Sequence, residues 1–273
     1  MTIKAIVAGA AGRMGRQIIK VIHESEGITL TGAFEHPDNP FVNQDAGRIA
    51  GIGDLGTAIA GNPGEVVDSG DVMIDFTLPD ATLGNIRVAA SKGTPMVIGT
   101  TGFSDEGLQE IRDLTTRIPC VMAPNMSVGV NVMFSIAART AKLLGRDYDI
   151  EILEAHHRLK KDAPSGTAMR LASIMAEATG RDLQRTAVYA RKGIIGERTD
   201  EEIGIQTLRA GDITGEHTVM FGGVGERLEL IHRAHNRDNF AKGAVRAAKW
   251  IVNQTPGLYD MQDVLGIKKE VEY

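Results

Sequence analysis

The sequence has little cysteine, few aromatic residues and no long apolar run, and each absence excludes a class of protein. Cys120 is the sole cysteine, so no disulfide can form within the chain, and its apolar neighbours favour a buried strand thiol over a nucleophile. No apolar run approaches the roughly 18 residues that a membrane-spanning helix needs. The run from Ala5 to Ala11 is too short and too interrupted by glycine for a signal peptide. We therefore expect a soluble protein of the reducing cytoplasm.

The chain also has no strong excess of charge of either sign. Its 30 Lys and Arg residues against 35 Asp and Glu give a formal net charge of −5, which argues against a nucleic-acid partner. A local basic cluster can still bind a small anion. An apolar content of 42% is enough for a packed core and excludes disorder, and 273 residues fit one large or two ordinary domains.

Glycine, by contrast, is abundant, at 32 of the 273 residues or about 12%, against a usual share of about 7%. Many backbone positions must therefore turn tightly or approach another group closely. Before Asn125, short β-branched runs alternate with helical patterns, which predicts a doubly wound, Rossmann-type parallel α/β sheet. Strands are predicted over 3–8, 28–35, 71–76, 96–98 and 120–122, with helices over 13–24, from Pro79 and from Ser104, and mostly loop over 37–70.

After Asn125 the pattern changes. A long helix is predicted over 128–144, then a strand over 148–155 and a helix over 167–178. Three further strand-like runs, 203–209, 218–221 and 227–234, have no helices between them, so this half is predicted to be an α+β domain with a mixed or antiparallel sheet. A helical pattern returns over 239–252.

A glycine-rich loop lies between the first strand and the first helix. Gly9-Ala10-Ala11-Gly12-Arg13-Met14-Gly15 is a variant of the dinucleotide fingerprint, in which glycines allow a tight turn, close approach to a pyrophosphate, and packing of the helix on the sheet. The helix N-terminus would offer N–H groups and positive partial charge to the phosphates. The alternative is a tight turn that binds nothing.

An acidic residue, Glu35, follows at the end of the second strand, about 20 residues beyond the loop, where such proteins hold the adenosine ribose. Its charge repels a 2′-phosphate, so the sequence favours NADH. His36 and Arg13 can partly neutralise that phosphate, which leaves room for weaker use of NADPH. An ordinary surface acid is the alternative for Glu35. Three more loops, 76–79, 99–103 and 123–127, follow predicted strands at the same sheet edge, which predicts the nicotinamide side of a cofactor site.

A second candidate site lies in residues 154–167. Five of the six residues from His156 to Lys161 can carry positive charge, and Ser165-Gly166-Thr167 opens a helix whose N–H groups suit a carboxylate. Histidine exchanges a proton near neutral pH, whereas a lysine such as Lys160 stays protonated unless it is desolvated. Together they can transfer protons and stabilise negative charge. The alternatives are a solvated basic face and a metal-binding histidine pair. The remaining polar features are interpreted as structural, although Arg227 can reach a second carboxylate: Gly225-Glu226-Arg227, Glu216-His217 and His232.

Together these motifs resemble one family, dihydrodipicolinate reductase, over nearly the whole chain. The resemblance rests on residues 9–15, 75–77, 99–103, 125–131, 154–158, Lys160, 162–168, 209–213 and 215–218. The glycine loop occurs in many dehydrogenases, but the His-His-Arg segment that ends in Asp-Ala-Pro-Ser-Gly-Thr is highly specific.

The resemblance implies an NAD(P)H-dependent reduction of a cyclic, unsaturated imine dicarboxylate to tetrahydrodipicolinate, in the diaminopimelate pathway of lysine biosynthesis. By it, His156 is the acid/base histidine, Lys160 the proton donor, and no metal takes part. Substrate contacts would come from His157, Ser165, Gly166 and Thr167. Cofactor contacts would come from Gly9, Ala10, Ala11, Gly12, Arg13, Met14, Glu35, His36, Gly99, Thr100, Thr101, Ala123, Pro124, Asn125 and Met126.

The resemblance also implies a homotetramer with a dinucleotide-binding domain of residues 1–126 and 237–273 and a substrate-binding and tetramerisation domain of residues 127–236. Two positions depart from some relatives, which carry arginine where this chain has His36 and Leu78. Two partners for a 2′-phosphate are thus missing, which again favours NADH.

Two other functions stay open at this point. One is a related dehydrogenase with another substrate, such as an aspartate or homoserine dehydrogenase, which should lack the segment from His156 to Thr167. The other is a dinucleotide sensor without catalysis, which would have no reason to keep two proton-transfer residues beside a helix start.

Overall fold

The computed structural model describes residues 1–270, which form two compact units. One unit contains Met1–Val128 and the segment that begins at Asp238, and the other contains Gly129–Arg237. Residues 271–273, the end of the predicted dinucleotide-binding domain, lie outside the described residues. Within residues 1–270, no helix combines the length and the apolar character needed to cross a membrane.

The helices and strands follow one another in the order in which they are numbered here. The strands are β1 (Ile3–Ala8), β2 (Ile28–Phe34), β3 (Ile59–Ala60), β4 (Val72–Asp75), β5 (Met96–Ile98), β6 (Pro119–Met122), β7 (Asp149–His156), β8 (Ala187–Val188), β9 (Ile203–Arg209), β10 (Gly215–Gly223), β11 (Glu226–Ala234) and β12 (Gly257–Tyr259). The α-helices are α1 (Arg13–Glu24), α2 (Ala46–Ala50), α3 (Pro79–Lys92), α4 (Asp105–Leu114), α5 (Val128–Leu144), α6 (Gly166–Thr179), α7 (Leu183–Thr186), α8 (Asp238–Ile251) and α9 (Met261–Val264). Short 3-10 helices cover Pro63–Glu65, Val67–Ser69, Gly145–Asp147 and Ile267–Glu270.

The first unit is built on a parallel sheet of seven strands in the order β12-β6-β5-β4-β1-β2-β3. Side chains of a strand alternate between the two faces, so Ala5 and Val7 of β1 pack in the core on one face. Ile6 and Ala8 pack in a second core on the other face. The strand order reverses between β1 and β4, which is the Rossmann arrangement. The predicted fold class is confirmed for this unit.

Three details of this unit differ from the pattern in the sequence or add to it. The sequence does not predict β12, because three residues are too few to show a periodicity. This strand is defined by its parallel hydrogen bonding to β6. The segment 37–70, predicted as mostly loop, is organised around Asp45, whose carboxylate accepts hydrogen bonds from four backbone N–H groups. Burial raises the pKa of this carboxyl, but those bonds outweigh it and lower the pKa. Cys120 on β6 is fully buried, and this burial and the charge of Asp75 raise the pKa of its thiol.

The second unit contains a mixed sheet in the order β11-β10-β7-β9-β8. Strand β7 is parallel to β9 and antiparallel to β10, so the predicted mixed α+β sheet is confirmed. One face of the sheet contributes Ile150, Ile152 and Val219 to a core that also contains residues of α5 and α6. The same face of β7 ends in Glu154 and His156, which are buried at 1% and 9% exposure. Along this face of β7, the apolar core residues Ile150 and Ile152 are therefore followed by the buried polar residues Glu154 and His156.

Candidate active site

The glycine loop after β1 has the geometry that its sequence predicts. Gly9 adopts a positive φ of 62°, and the N–H of Gly12 donates to the Gly9 oxygen at 2.9 Å. The N–H of Ala10 donates to the Phe34 oxygen at 3.1 Å, which joins the loop to β2. A Cβ at Gly15 would lie 2.1 Å from the Gly9 oxygen, so α1 can approach the loop this closely only with glycine there.

The first turn of α1 has the features of an anion-binding helix N-terminus. Its N-cap is Gly12, which has no side chain to bond the amides of the first turn, and the first helical residues are Arg13 and Met14. The positive end of the helix dipole lies at this point. A pyrophosphate is the kind of group that such a helix start after a glycine loop accepts.

Glu35 lies directly against this loop. Its Oε2 accepts a hydrogen bond from the Ala11 N–H at 3.1 Å, and its Oε1 accepts one from the N–H of His36 at 3.2 Å. The imidazole of His36 accepts from the Asp38 N–H at 3.3 Å and is 72% exposed. A carboxylate held here presents acceptors that suit ribose hydroxyls and a charge that opposes a phosphate.

A buried carboxylate ties two further loops together. Asp75, the last residue of β4, is fully buried and accepts from the Thr77 N–H at 2.8 Å and the Thr77 hydroxyl at 2.7 Å. Its other oxygen accepts from the Asn85 amide at 2.7 Å. The hydroxyl of Thr82 bonds both Asp75, at 3.1 Å, and the hydroxyl of Thr100, at 2.8 Å. The loops after β4 and β5 are thereby held by one network.

The remaining predicted cofactor residues follow β5 and β6. A Cβ at Gly99 would lie 2.1 Å from Cε1 of Phe76, so this glycine admits the aromatic ring. The segment 123–126 follows β6, and a Cβ at Gly243 of α8 would lie 1.7 Å from the Met126 oxygen. Every predicted cofactor residue lies in the first unit, and the loops that contain them all leave the carboxyl edge of one parallel sheet. Ligands of this fold bind at that edge.

The second unit places Glu154 at the centre of a polar cluster. Its Oε1 accepts from the Ser165 N–H at 2.9 Å and the Thr207 hydroxyl at 3.2 Å, and both oxygens accept from Arg209 at 2.9 Å. Its Oε2 is 2.5 Å from Nδ1 of His156. Burial raises the pKa of this carboxyl, but the bonds from His156 and Arg209 outweigh it and lower the pKa to about 2.

Ser165 and His217 complete this cluster. The hydroxyl of Ser165 caps α6 by accepting from the Ala168 N–H at 3.2 Å and lies 3.2 Å from Nε2 of His217. The rings of His156 and His217 meet edge to face with 5.3 Å between centroids. Burial and the charge of His156 lower the pKa of His217 to about 3, so its ring is neutral near pH 7.

Lys160 lies in the loop between β7 and α6. Its Nζ is 3.0 Å from the Asp162 carboxylate, and its backbone N–H donates to the His157 oxygen at 3.1 Å. The bond from Lys160 lowers the pKa of Asp162. The sequence predicted Lys160 in a cationic cluster, and the structure adds an acidic partner for it.

Sequence reasoning missed part of this cluster. The sequence does not point to Thr207, connects Arg209 with the site only as part of a family match, and favours a structural role for His217. Each lies on a strand far along the chain from His156. The sheet register joins them, since Glu154 pairs with His217 on β10 and with Thr207 on β9. No spacing in the sequence carries this information. Arg227, a candidate contact for a second carboxylate, forms an ion pair with Glu229 at 3.0 Å.

A parallel sheet in Rossmann order with a fingerprint loop, interrupted by a mixed-sheet unit with a polar histidine cluster, defines a nicotinamide-dinucleotide-dependent dehydrogenase. The family descriptions "Dihydrodipicolinate reductase, N-terminus" and "Dihydrodipicolinate reductase, C-terminus" match residues 3–126 and 129–265. The chain belongs to the dihydrodipicolinate reductase family, whose members are NAD(P)H-dependent oxidoreductases.

Individual relatives agree with this assignment. The 4-hydroxy-tetrahydrodipicolinate reductase of Syntrophus aciditrophicus (strain SB) is 58% identical over 97% of this chain and 99% of its own length. The enzyme of the same name from Syntrophobacter fumaroxidans is 55% identical over 97% of this chain and 100% of its own length. The dipicolinate-bound dihydrodipicolinate reductase of Paenisporosarcina sp. TG-14 superposes with a TM-score of 0.75 at 25% identity, over 96% of this chain and 99% of that one. The predicted family and enzyme class are confirmed.

Proposed function

We propose that the protein reduces the cyclic, unsaturated imine dicarboxylate that gives tetrahydrodipicolinate, with the dinucleotide held by the first unit and the dicarboxylate by the second. The observation that carries this proposal is the cluster in which Glu154 holds His156 beside Ser165 at the start of α6. It combines a proton-exchanging group with a helix start that suits a carboxylate. The full-length likeness to reductases of this name supports it.

The residues of the first unit fit a nicotinamide dinucleotide. The loop from Gly9 to Met14 would hold the pyrophosphate, and Glu35 would hold the adenosine ribose. The loops that contain Gly99–Thr101 and Ala123–Met126 would hold the nicotinamide side. When bound, the dihydronicotinamide supplies a hydride, and the protein supplies position and protons.

The second unit supplies the proton chemistry. His156 and Lys160 are the groups we assign to proton transfer, and Nζ of Lys160 lies 3.0 Å from the Asp162 carboxylate. Ser165, Gly166 and Thr167 lie in the cap and first turn of α6, where the helix dipole favours a substrate carboxylate. His157 provides a further substrate contact. The reaction needs a carboxylate-binding helix start because the substrate is an anion. It needs proton-transfer side chains because the reduced ring gains a proton as well as a hydride.

We also propose that NADH is preferred to NADPH. Glu35 is fixed against the loop by the Ala11 N–H, so its charge would lie close to a 2′-phosphate. The family resemblance also implies that His36 and Leu78 stand where some members have arginine. Initial rates with each cofactor would test this proposal, and equal or higher kcat/KM with NADPH would disprove it.

The remaining proposals concern the assembly and its location. We propose a homotetramer in the cytoplasm. Exposed apolar side chains on two strands of the second sheet support an interface between copies, since Leu208 is 58% exposed and Ile231 is 45% exposed.

An assay of substrate-dependent NADH oxidation tests the function itself. The substrate is generated in the cuvette from aspartate semialdehyde and pyruvate by a condensing synthase. We expect the loss of NADH absorbance to require both precursors and this protein. Oxidation that proceeds equally with aspartate semialdehyde alone would favour another dehydrogenase, and none at all would favour a sensor.

A further inference from the structure

Glu154 accepts hydrogen bonds from five donor atoms. Backbone, hydroxyl, guanidinium and imidazole groups all converge on one carboxylate that is 1% exposed. A carboxylate buried in this way stays ionised, because each of its oxygens is saturated by donors.

An ionised carboxylate accepts hydrogen bonds and cannot donate one. The 2.5 Å contact between Glu154 Oε2 and His156 Nδ1 therefore requires the proton to lie on Nδ1. Only Nε2 is then left to gain or lose a proton. A glutamate in this position selects one of the two tautomers of the ring.

Two neighbours define the surroundings of Nε2, Gly215 and His217. A Cβ at position 215 would lie 3.1 Å from Nε2, and Gly215 leaves that space empty of side chain. His217 meets the ring edge to face and is neutral near pH 7, so it adds no second positive charge. Neither Gly215 nor His217 therefore places a charged side chain beside Nε2.

We propose that Glu154 is the positioning residue of the proton-transfer step, holding His156 with Nδ1 protonated so that Nε2 alone exchanges the proton. This inference rests on the proposed function for the identity of the reaction. The imidazolium donates its Nε2 proton to the substrate and becomes neutral while Nδ1–H stays bonded to Glu154. A proton from solvent then restores Nε2–H. Arg209 and Ser165 act on the same step by keeping the carboxylate ionised and in place.

The first test is spectroscopic and needs no substrate. In protein labelled with ¹⁵N-histidine, the His156 signals, assigned by their loss in His156→Gln, should report a protonated Nδ1. Glu154→Gln should remove this restriction and admit the Nε2–H tautomer. A wild-type ring with a bare Nδ1 would overturn the proposal whether or not the protein is a reductase.

The second test is a double-mutant cycle in kcat. Glu154→Gln should lower kcat by about 10²- to 10⁴-fold with a smaller change in KM, as expected when a catalytic histidine loses the carboxylate that orients it. In the His156→Gln background, the same substitution should cost almost nothing further, because the group it acts on is gone. An equal additional loss in that background would assign Glu154 a general structural role and contradict the proposal.

Glu151→Gln is the matched control. Glu151 lies on the same strand, and its two oxygens accept from Arg191 at 3.0 and 2.8 Å, but none of its hydrogen bonds involves a histidine. Like Glu154→Gln, this substitution removes one negative charge and disrupts a bidentate arginine pair on β7, but it leaves the histidines untouched. We expect an unchanged kcat, and a loss as large as that of Glu154→Gln would show that any arginine pair on β7 has this effect.

Discussion

At the scale of single residues, three carboxylates hold the loops around them together. Asp45, Asp75 and Glu154 each accept hydrogen bonds from several donors at once. An ionised carboxylate has room for about four bonds, and leaving any of them unmade in a buried site is costly. Each such residue therefore fixes the loops that surround it, and two of the three support candidate ligand sites.

The catalytic assignments make a prediction at this scale. His156→Gln and Lys160→Ala should each lower kcat by about 10²- to 10⁴-fold, the range for loss of a general acid or base. The measurement is steady-state NADH oxidation with the generated substrate. Lys161→Ala, which removes the adjacent exposed charge, is the control. Unchanged turnover in either of the first two variants would remove that residue from the chemistry.

His217 predicts how stability depends on pH. Its pKa is lowered from 6.5 to about 3 in the folded protein, so the unfolded chain takes up a proton below about pH 6.5 that the folded chain refuses. The free energy of unfolding should therefore fall as the pH falls from 6.5 towards 3, by up to about 1.4 kcal/mol per pH unit from this group.

His217→Gln should reduce that slope, measured by urea unfolding at several pH values between 5 and 7. His23→Gln, at an exposed histidine of α1, serves as the control. Parallel pH profiles for wild type and His217→Gln would show that His217 is not the group responsible.

At the scale of elements, the glycine loop shows why local sequence patterns predict helix boundaries well. Helix α1 begins at Arg13 and ends at Glu24, as predicted, because a glycine loop precedes it and an amphipathic repeat fills it. The start of α4 at Asp105 agrees too, since the Ser104 hydroxyl accepts from the Gly107 N–H. These signals lie within a few residues of the boundary that they mark.

The packing of α1 on β1 gives a prediction for Gly15→Ala. The added methyl would overlap the Gly9 oxygen, so the loop must shift, and we expect weaker NADH binding and a lower Tm. Isothermal titration with NADH and a thermal melt are the measurements.

Gly84→Ala is the matched control for this substitution. Gly84 also lies in a helix, α3, but a Cβ there meets no atom within 4 Å. We expect it to raise stability by roughly 0.5–1 kcal/mol, the usual difference between the two residues in a helix, without affecting NADH binding. Equal effects of the two substitutions would contradict the packing argument.

At the scale of the whole molecule, the second sheet has two unlike faces. One is covered by helices and ends in the Glu154 cluster. The other presents Leu208 and Ile231, on β9 and β11, to solvent. Exposed apolar side chains spread across one sheet are typical of a surface that binds a partner.

Ile231→Glu should therefore shift the proposed tetramer to smaller species in light scattering after gel filtration, because a carboxylate would be buried between copies. Val224→Glu is the control, since Val224 is fully exposed in the turn between β10 and β11 and not on the sheet face. An unchanged mass for Ile231→Glu would exclude this face as the interface.

The sequence by itself determined the Rossmann-type class of the first sheet, a mixed or antiparallel second sheet, the glycine loop and the family, because periodicity, capping signals and rare motifs involve residues that are close together in the chain. Only the tertiary structure decided that Thr207, Arg209 and His217 join His156, that Lys160 pairs with Asp162, and that β12 exists at all. Strand register brings together residues 53 and 63 positions apart, as in the pairing of Glu154 with Thr207 and with His217. The tautomer of His156 is fixed by that three-dimensional arrangement, since a carboxylate selects a ring nitrogen only when the fold places the two in contact.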